Sequence, residues 1–326
     1  MRIEDIAKKA GVSRSTVSRV LNNAPDVSEK TRQKVNEIIR ELGYQPNPIA
    51  QMLASQRNRV LGVVIRSRLD TAFGDPNYFP TLLQGISDAV AERDYLTLIW
   101  MGTTKQEDQQ FHQRVVSTSL IDGIVLASAE QDDILIEQLL NRNIPFVMVE
   151  KPNYYLEQIH YISIDNHRAT HTAIQYLLEH GYKQIGILQG NSKNPDFLER
   201  LAGYEQALQQ ANIPINPDFI LQDIRQISKQ VVQGMDALFA VNDKLAIDAI
   251  NFLRQQGINV PDDLAVIGFD DLPTASTNIP ALTTIHHPIY DKGFTAAQVL
   301  IDLLQGRREG IQHIQLSTNL VVRDSA

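Results

Sequence analysis

The stretch "IEDIAKKAGVSRSTVSRVLNN", Ile3 to Asn23, decides the reading of this chain. Ile3, Ile6, Ala7 and Ala10 recur at helical spacing and stop at Gly11, after which Ser13 can cap a second helix carrying Val17, Val20 and Leu21. Ser28 then opens a third helix, whose apolar positions Val35, Ile38, Ile39 and Leu42 form one face before Gly43 ends it. Three short helices around one small core predict an N-terminal all-α helix-turn-helix domain. Its second helix would lie in a DNA major groove with its first residues against base edges.

With Val17, Val20 and Leu21 turned inward, Arg14, Ser15, Ser18, Arg19 and Asn22 face outward. A guanidinium can pair with guanine through two hydrogen bonds, so Arg14 and Arg19 are the candidates for base contacts. Ser13, Thr16, Asn22 and Thr31 suit phosphates, which position a domain without reading sequence. The plainer alternative is a solvated polar face on an ordinary three-helix bundle.

Charge separates the head from the rest. The chain of 326 residues carries a net charge of -8, yet residues 1–59 hold eleven Lys and Arg against six Asp and Glu, net +5, and the remainder is net -13. A small basic head on a large acidic body predicts that only the head approaches a polyanion. The chain is 43% hydrophobic, enough to fill real cores, and its length allows two or three domains. It has no cysteine, which removes disulfides, thiolate zinc sites and cysteine nucleophiles. No apolar run approaches a membrane span, and "MRIEDIAKKAG" mixes charges where a signal peptide would be apolar, so a cytoplasmic location is expected.

After the head comes "PNPIAQMLAS", Pro46 to Ser55, with Asn47 as an N-cap and Pro48 at the first helical position of a helix of barely two turns. A helix that short is marginal alone, which makes it a conditional element. From residue 60 the pattern changes to β-branched runs alternating with amphipathic stretches: "RVLGVVI", "YLTLIW", "DGIVLAS", "IPFVMVE", "QIGILQG", "MDALFAVN" and "LAVIGFD". Such alternation predicts parallel sheets covered by helices on both faces, in two doubly wound units that change over near Ile159. Ligands in such folds bind beyond the C-terminal ends of strands. The polar residues there are Ser128, Glu150, Asn242, Asp243 and Asp270, with Arg200 opening the helix "RLAGYEQAL". For Asp243 and Asp271 turn or helix capping is the expected role.

No enzyme emerges from these residues. "GNSKNPDFLER" lacks the terminal Gly-Lys-Ser/Thr of a phosphate loop, and His286 and His287 are adjacent rather than four apart on a helix face. The two histidines read as a polar crossover between subdomains. No catalytic residue, metal or cofactor is expected.

The chain resembles the lactose/galactose repressor (LacI/GalR) family of bacterial transcription regulators. The resemblance rests on the opening stretch together with "VSEKTRQKV", "LGYQPNPIAQMLAS", "HGYKQIGIL", "RLAGYEQAL", "FAVND", "VPDDLAVIGFDD" and "PALTTIHHP", in the family's order. It implies a helix-turn-helix headpiece (1–46), a hinge helix and linker (47–59) and a periplasmic-binding-protein-like core (60–326). In that core an N-subdomain of about 60–158 and 290–317 and a C-subdomain of about 159–289 and 318–326 are crossed three times by the chain. It implies a homodimeric repressor on a near-palindromic operator, with Leu53 wedged into the minor groove and Ala54 beside it. Operator affinity would be modulated by a small molecule in the cleft, a sugar in preference to a nucleobase. The resemblance carries effector binding to Arg200, Asn242 and Asp270, and to Ser128, Glu150 and the aromatic pair Tyr78 and Phe79. With no heptad tail after "LVVRDSA", dimers rather than tetramers are expected. The competing function class is a small-molecule binding protein of transport or sensing type.

This sequence departs from the family pattern at several places. Arg2 stands where a Thr usually caps the first helix. Asp26 occupies a loop position where many members have His or Tyr near a phosphate, which an acid would repel. "RSRLDTAFGDPNYF" lengthens the link after the first strand and adds Arg66, Arg68 and Asp70. Only about ten residues separate "FILQD" from "MDALFA", about half the usual span, so one cleft wall is reshaped. That leaves room for a regulator controlled by a protein or by no effector.

Overall fold

The computed structural model describes residues 3–21, 24, 26–43, 58–65, 77–102, 104, 107, 110–118, 120–128, 134–190, 195–227 and 232–326. Asn22, Leu53, Ala54, the expected hinge helix, Arg2, Arg66, Arg68 and Asp70 lie outside those residues, as do the side-chain contacts of Ser128. The chain divides into two compact units, residues 1–59 and 60–326.

In the first unit α1 (Ile3–Ala10), α2 (Arg14–Leu21) and α3 (Glu29–Glu41) close on Ile6, Ala7, Ala10, Val17, Val20, Val35 and Ile38, all buried. Local chemistry sets the corner between α1 and α2. Gly11 takes φ +67°, and the Val12 amide donates back to the Ala7 carbonyl at 3.0 Å, a Schellman-type stop that reverses the chain. Ser13 then caps α2 by accepting from the Thr16 amide at 3.1 Å, and Ser28 caps α3 by accepting from the Thr31 amide at 3.3 Å.

In the second unit β1 (Val60–Ile65), β2 (Leu96–Met101), β3 (Gly123–Ser128), β4 (Phe146–Val149) and β5 (His160–Ile164) alternate with α4 (Tyr78–Ala91) and α5 (Ile134–Asn141). Next come α6 (Asn166–Glu179), β6 (Ile185–Leu188), α7 (Pro195–Gln210), β7 (Ile220–Leu221), β8 (Ala237–Ala240), α8 (Asp243–Gln255) and β9 (Ala265–Asp270). The chain closes with α9 (Pro273–Thr277), β10 (Thr283–His286), α10 (Ile289–Leu304), β11 (His313–Leu316) and β12 (Asn319–Val321). Among the described residues these strands form two six-stranded sheets of matching order, β11-β5-β4-β3-β1-β2 and β12-β10-β9-β8-β6-β7. All neighbours are parallel except β12, which runs antiparallel to β10. Strands β1, β4, β6, β8 and β9 are buried along their whole length, which is why they read as unbroken apolar runs rather than alternating ones.

The chain crosses between sheets after β5, between β10 and α10, and between β11 and β12. The first crossover differs from the expected change near Ile159. "HYISI" pairs with β4 and β11 in the first sheet, so the chain leaves only after Ile164. The half-polar sequence of β5 hides it, because only its last three residues are buried.

Two helix pairs pack so tightly that they require glycine. A Cβ at Gly85 would stand 2.1 Å from the Tyr290 carbonyl oxygen, and one at Gly203 would stand 2.2 Å from that of His167. These contacts press α4 onto α10, and α7 onto α6, fixing the elements that carry Tyr78, Lys292, Arg200 and Asn166.

Candidate DNA-reading helix and effector cleft

On α2, Ser13, Arg14, Ser15 and Arg19 are exposed and Thr16 and Ser18 are half-buried, with Thr31 half-buried on α3. The capping hydroxyls are shared: Ser13 Oγ lies 2.8 Å from Thr16 Oγ1 and 2.7 Å from Ser15 Oγ, and Ser28 Oγ lies 2.8 Å from Thr31 Oγ1. The two arginines are not bare cations. Arg14 Nη1 sits 3.2 Å from Glu4 Oε1, and Arg19 is ion-paired with Asp26, the acid that the sequence reading sets aside.

In the second unit, the strand-end acids Glu150 and Asp270 stand at equivalent places in the two sheets, directly after β4 and at the end of β9. Both hold φ in the left-handed half of the map, at +113° and +117°. Such backbone costs of the order of 1–3 kcal/mol for a residue with a Cβ and persists only where surrounding contacts enforce it.

The contacts are specific. Glu150 Oε1 accepts from the Tyr78 hydroxyl at 3.1 Å and from Lys292 Nζ, whose side chain is wholly buried. Asp270 Oδ1 lies 3.1 Å from His287 Nδ1 and 3.9 Å from Arg200 Nη1. Arg200 is buried; its Nε donates to Asn166 Oδ1 at 2.9 Å, its Nη1 donates to the Val241 carbonyl, and its guanidinium lies 3.5 Å from the centroid of the Phe269 ring. Asn166 in turn donates to Asp196 Oδ1 at 3.1 Å. The rings of Tyr78 and His287, 5.8 Å apart, join the two groups, with Phe79 edge-on to Tyr78. Tyr78, Glu150, Arg200 and Asp270 therefore form one connected cluster.

Asn242 also has a structural role that the sequence reading did not assign to it. Its Oδ1 caps α8 by accepting from the Leu245 amide at 2.8 Å, which leaves its amide nitrogen as the remaining donor group. Asp243 accepts from the Leu272 amide and the Thr284 hydroxyl, and Asp271 pairs with His286 and Arg323; in place of the expected capping, these contacts tie each acid to other elements of the second sheet. Sequence reasoning missed Lys292, Asn166 and Asp196, and read His287 only as part of a polar crossover. "IYDKGF" looks like a solvated helix face, yet Lys292 is wholly buried, beside a glycine that packs directly on Leu82 of α4. Between β7 and β8 the short wall carries a 3-10 turn, Ile224–Gln226, and helical residues at 232–233 among its described residues.

Burial, then the positive charges of Lys292 and Arg200, holds His287 neutral by pushing its pKa well below the ordinary value. Its Nδ1–H therefore donates to Asp270, and Nε2 is a buried acceptor with no hydrogen-bond partner among the described residues. Burial, reinforced by Glu150, likewise keeps the Tyr78 hydroxyl protonated and able to donate. Asp196 is pushed up from 3.8 to about 7, chiefly by burial and next by Glu150.

An acid whose folded pKa is raised stays protonated in the fold while it ionises in the unfolded chain. It therefore erodes stability as pH rises from about 4 to 7. Asp196→Asn is expected to match the wild type in urea unfolding near pH 4 and to be the more stable by pH 8. Parallel stability curves across that range would count against the assignment.

The described residues include no group of three or more His, Cys, Asp or Glu able to hold a metal, and no helix long and apolar enough to cross a membrane. This cluster has donors on Arg200 and acceptors at Glu150, Asp270 and His287 Nε2. That is a chemistry of hydrogen-bond recognition.

Residues 2–47 match the family described as bacterial regulatory proteins, lacI family, and residues 174–326 match the periplasmic binding protein-like domain. The chain is similar over 336 residues to the HTH-type transcriptional regulator RegA of Clostridium acetobutylicum, at 33% identity and covering 99% of this chain and 98% of that one. It is equally similar, at 33%, to the HTH-type transcriptional repressor CytR of Escherichia coli strain K12, with 99% and 95% covered. Among solved structures, it resembles a complex of the transcriptional regulator CelR with cellobiose (29% identity, both chains covered in full, TM-score 0.77). It also resembles the lac repressor dimer bound to operator and the anti-inducer ONPF (25% identity, 100% and 98% covered, TM-score 0.79). A polar-faced second helix on a capped helix-turn-helix head, a two-sheet core with strand-end acids, and full-length similarity to named regulators lead to one conclusion: the chain belongs to the LacI family of bacterial transcriptional regulators.

Proposed function

We propose that this protein is a homodimeric repressor that binds a near-palindromic operator through α2 and releases or tightens on it when a neutral polyol, a sugar, occupies the core cleft. The observation that carries the effector half is the cluster joining Glu150 of the first sheet to Asp270 of the second through Tyr78 and His287. Sugar hydroxyls both donate and accept, so they suit a site that mixes guanidinium, carboxylate and imidazole groups. An occupant held by both strand-end acids would bias the relative placement of the two subdomains, and effector and operator binding would then be coupled reciprocally. Two heads on one two-fold axis would address half-sites about one helical turn apart. The head (1–46), hinge (47–59) and core (60–326) remain the proposed division of labour, with Leu53 and Ala54 proposed for the minor groove and Asn22 for phosphate.

Self-association is supported by β2, an edge strand that leaves Leu96 and Ile99 in water, an apolar border suited to a second copy. Dimers are expected in sedimentation at micromolar concentration; a monomer or a stable tetramer would reject this part.

The DNA half is tested by mobility shift on random-sequence duplex at low and high salt. Neutralising six to ten phosphates implies a loss of about 10³–10⁵ in affinity between 50 and 200 mM salt. Absence of binding at low salt would sink the proposal. The effector half is tested by thermal shift across neutral sugars and nucleosides. A ligand present at 100 times its Kd adds about 2.7 kcal/mol of stability.

A further inference from the structure

The acids that face the reading arginines have no part in the function described so far. Glu4, in the first turn of α1, lies 3.2 Å from Arg14 in the first turn of α2, and Asp26, between α2 and α3, is ion-paired with Arg19 in the last turn of α2. All four side chains are roughly half exposed or more, between 48% and 72%. Exposed pairs of this kind contribute little to stability. Their effect has to be sought in what the guanidinium meets next.

We infer that Asp26 and Glu4 are specificity-determining residues that turn Arg19 and Arg14, respectively, from phosphate binders into base readers. The inference rests on the proposed placement of α2 in the major groove. A guanidinium has five N–H donors in a fixed fork, so a carboxylate on one edge leaves another edge open. Guanine presents N7 and O6, which accept hydrogen bonds and carry no formal charge, so a guanidinium already paired with a carboxylate can still read them. A phosphate is an anion. Brought to the same guanidinium, it comes within a few ångströms of the carboxylate, well inside the screening length of about 8–10 Å at physiological salt. The neutralised pair also releases little counterion on meeting a phosphate, which removes the main source of sequence-independent affinity.

The head thus keeps its net charge of +5 over residues 1–59 for approach to DNA while its two readers are shielded from the wrong partner. Asp26 follows as useful where an acid near the backbone looks unfavourable. Its repulsion acts on every phosphate presented to Arg19 and bears less on the guanine edge, which carries partial rather than full charge.

The test uses the full-length protein, a duplex recovered by selection from a random library with the wild type, and a random-sequence duplex of equal length. For Asp26→Asn the random duplex is expected to bind about three- to tenfold more tightly per head, the effect of removing one nearby charge at intermediate dielectric. The salt slope on that duplex is expected to steepen by about 0.9. The selected duplex gains less, so discrimination falls; Glu4→Gln moves the same way. Glu37→Gln, which removes an equal charge from the exposed face of α3, serves as the control and is expected to shift both duplexes together. If Asp26→Asn shifts both duplexes in parallel as Glu37→Gln does, or leaves both unchanged, the inference is overturned. Wild-type protein that binds neither duplex at low salt overturns the DNA reading itself, a separate and recognisable outcome.

Discussion

Lys292→Met is expected to destabilise the protein by about 3–5 kcal/mol, the usual cost of removing one partner from a buried ion pair. The Lys292 side chain is wholly buried on α10 and donates to Glu150, whose side chain keeps 20% of its surface in water. Methionine fills the volume but leaves a carboxylate facing an apolar helix, with the Tyr78 hydroxyl as its remaining described donor. Because Glu150 retains some solvent, the low end of the range is the expected value, read as a lowered urea midpoint at unchanged slope. The companion variant is Glu150→Gln with Lys292→Met. Once neither partner is charged, replacing the pair by groups of similar size is often neutral, so the double variant should recover most of the loss. A double variant as unstable as the single one would place the cost in packing rather than in an orphaned charge.

The second large effect is expected at Arg200. Arg200→Met keeps an unbranched stem near Phe269 but removes the donors to Asn166 Oδ1 and the Val241 carbonyl and the positive charge beside Asp270. Two acceptors lose a donor, and Asp270, which keeps His287, loses the positive charge beside it, so the expected cost is about 3 kcal/mol. The functional consequence is separable from the stability loss. A sugar that stabilises the wild type by about 2.7 kcal/mol at 100 times its Kd should leave the variant's melting unchanged at that concentration. Random-sequence DNA binding by the separate head unit should persist. A variant that still responds to the same sugar at the same concentration would remove Arg200 from the effector site.

The local architecture was legible because it is written in short-range terms. The stop at Gly11, the caps at Ser13 and Ser28, and the apolar spacing of Ile6, Val17 and Val35 each depend on residues within a turn or two, and the structure realises them as read. The fully buried strands were visible for the same reason, as continuous β-branched runs. Strands β5, β11 and β12 were less visible because their faces are partly polar and lie toward the sheet margins. The crossover after Ile164 was displaced accordingly.

The site divides in the same way. Glu150 and Asp270 could be named from position alone, since any polar residue directly after a buried strand lies at the mouth of a doubly wound fold. Arg200, Tyr78 and Phe79 came with the family resemblance. Lys292 could not be named, because its burial depends on the packing of α10 in the folded chain, where Gly85 and Gly293 let α10 approach α4 closely. The pairing of Asp26 was illegible for a related reason. Its partner is Arg19, seven residues earlier, and a loop acid has no sign of benefit or harm until the cation it faces is known. Periodicity, capping and motif were enough to read the fully buried strands, the head helices and the family. Which charges meet became visible in the folded chain alone: ion pairing falls off over a few ångströms, and such separations are set by helix packing that no local pattern records.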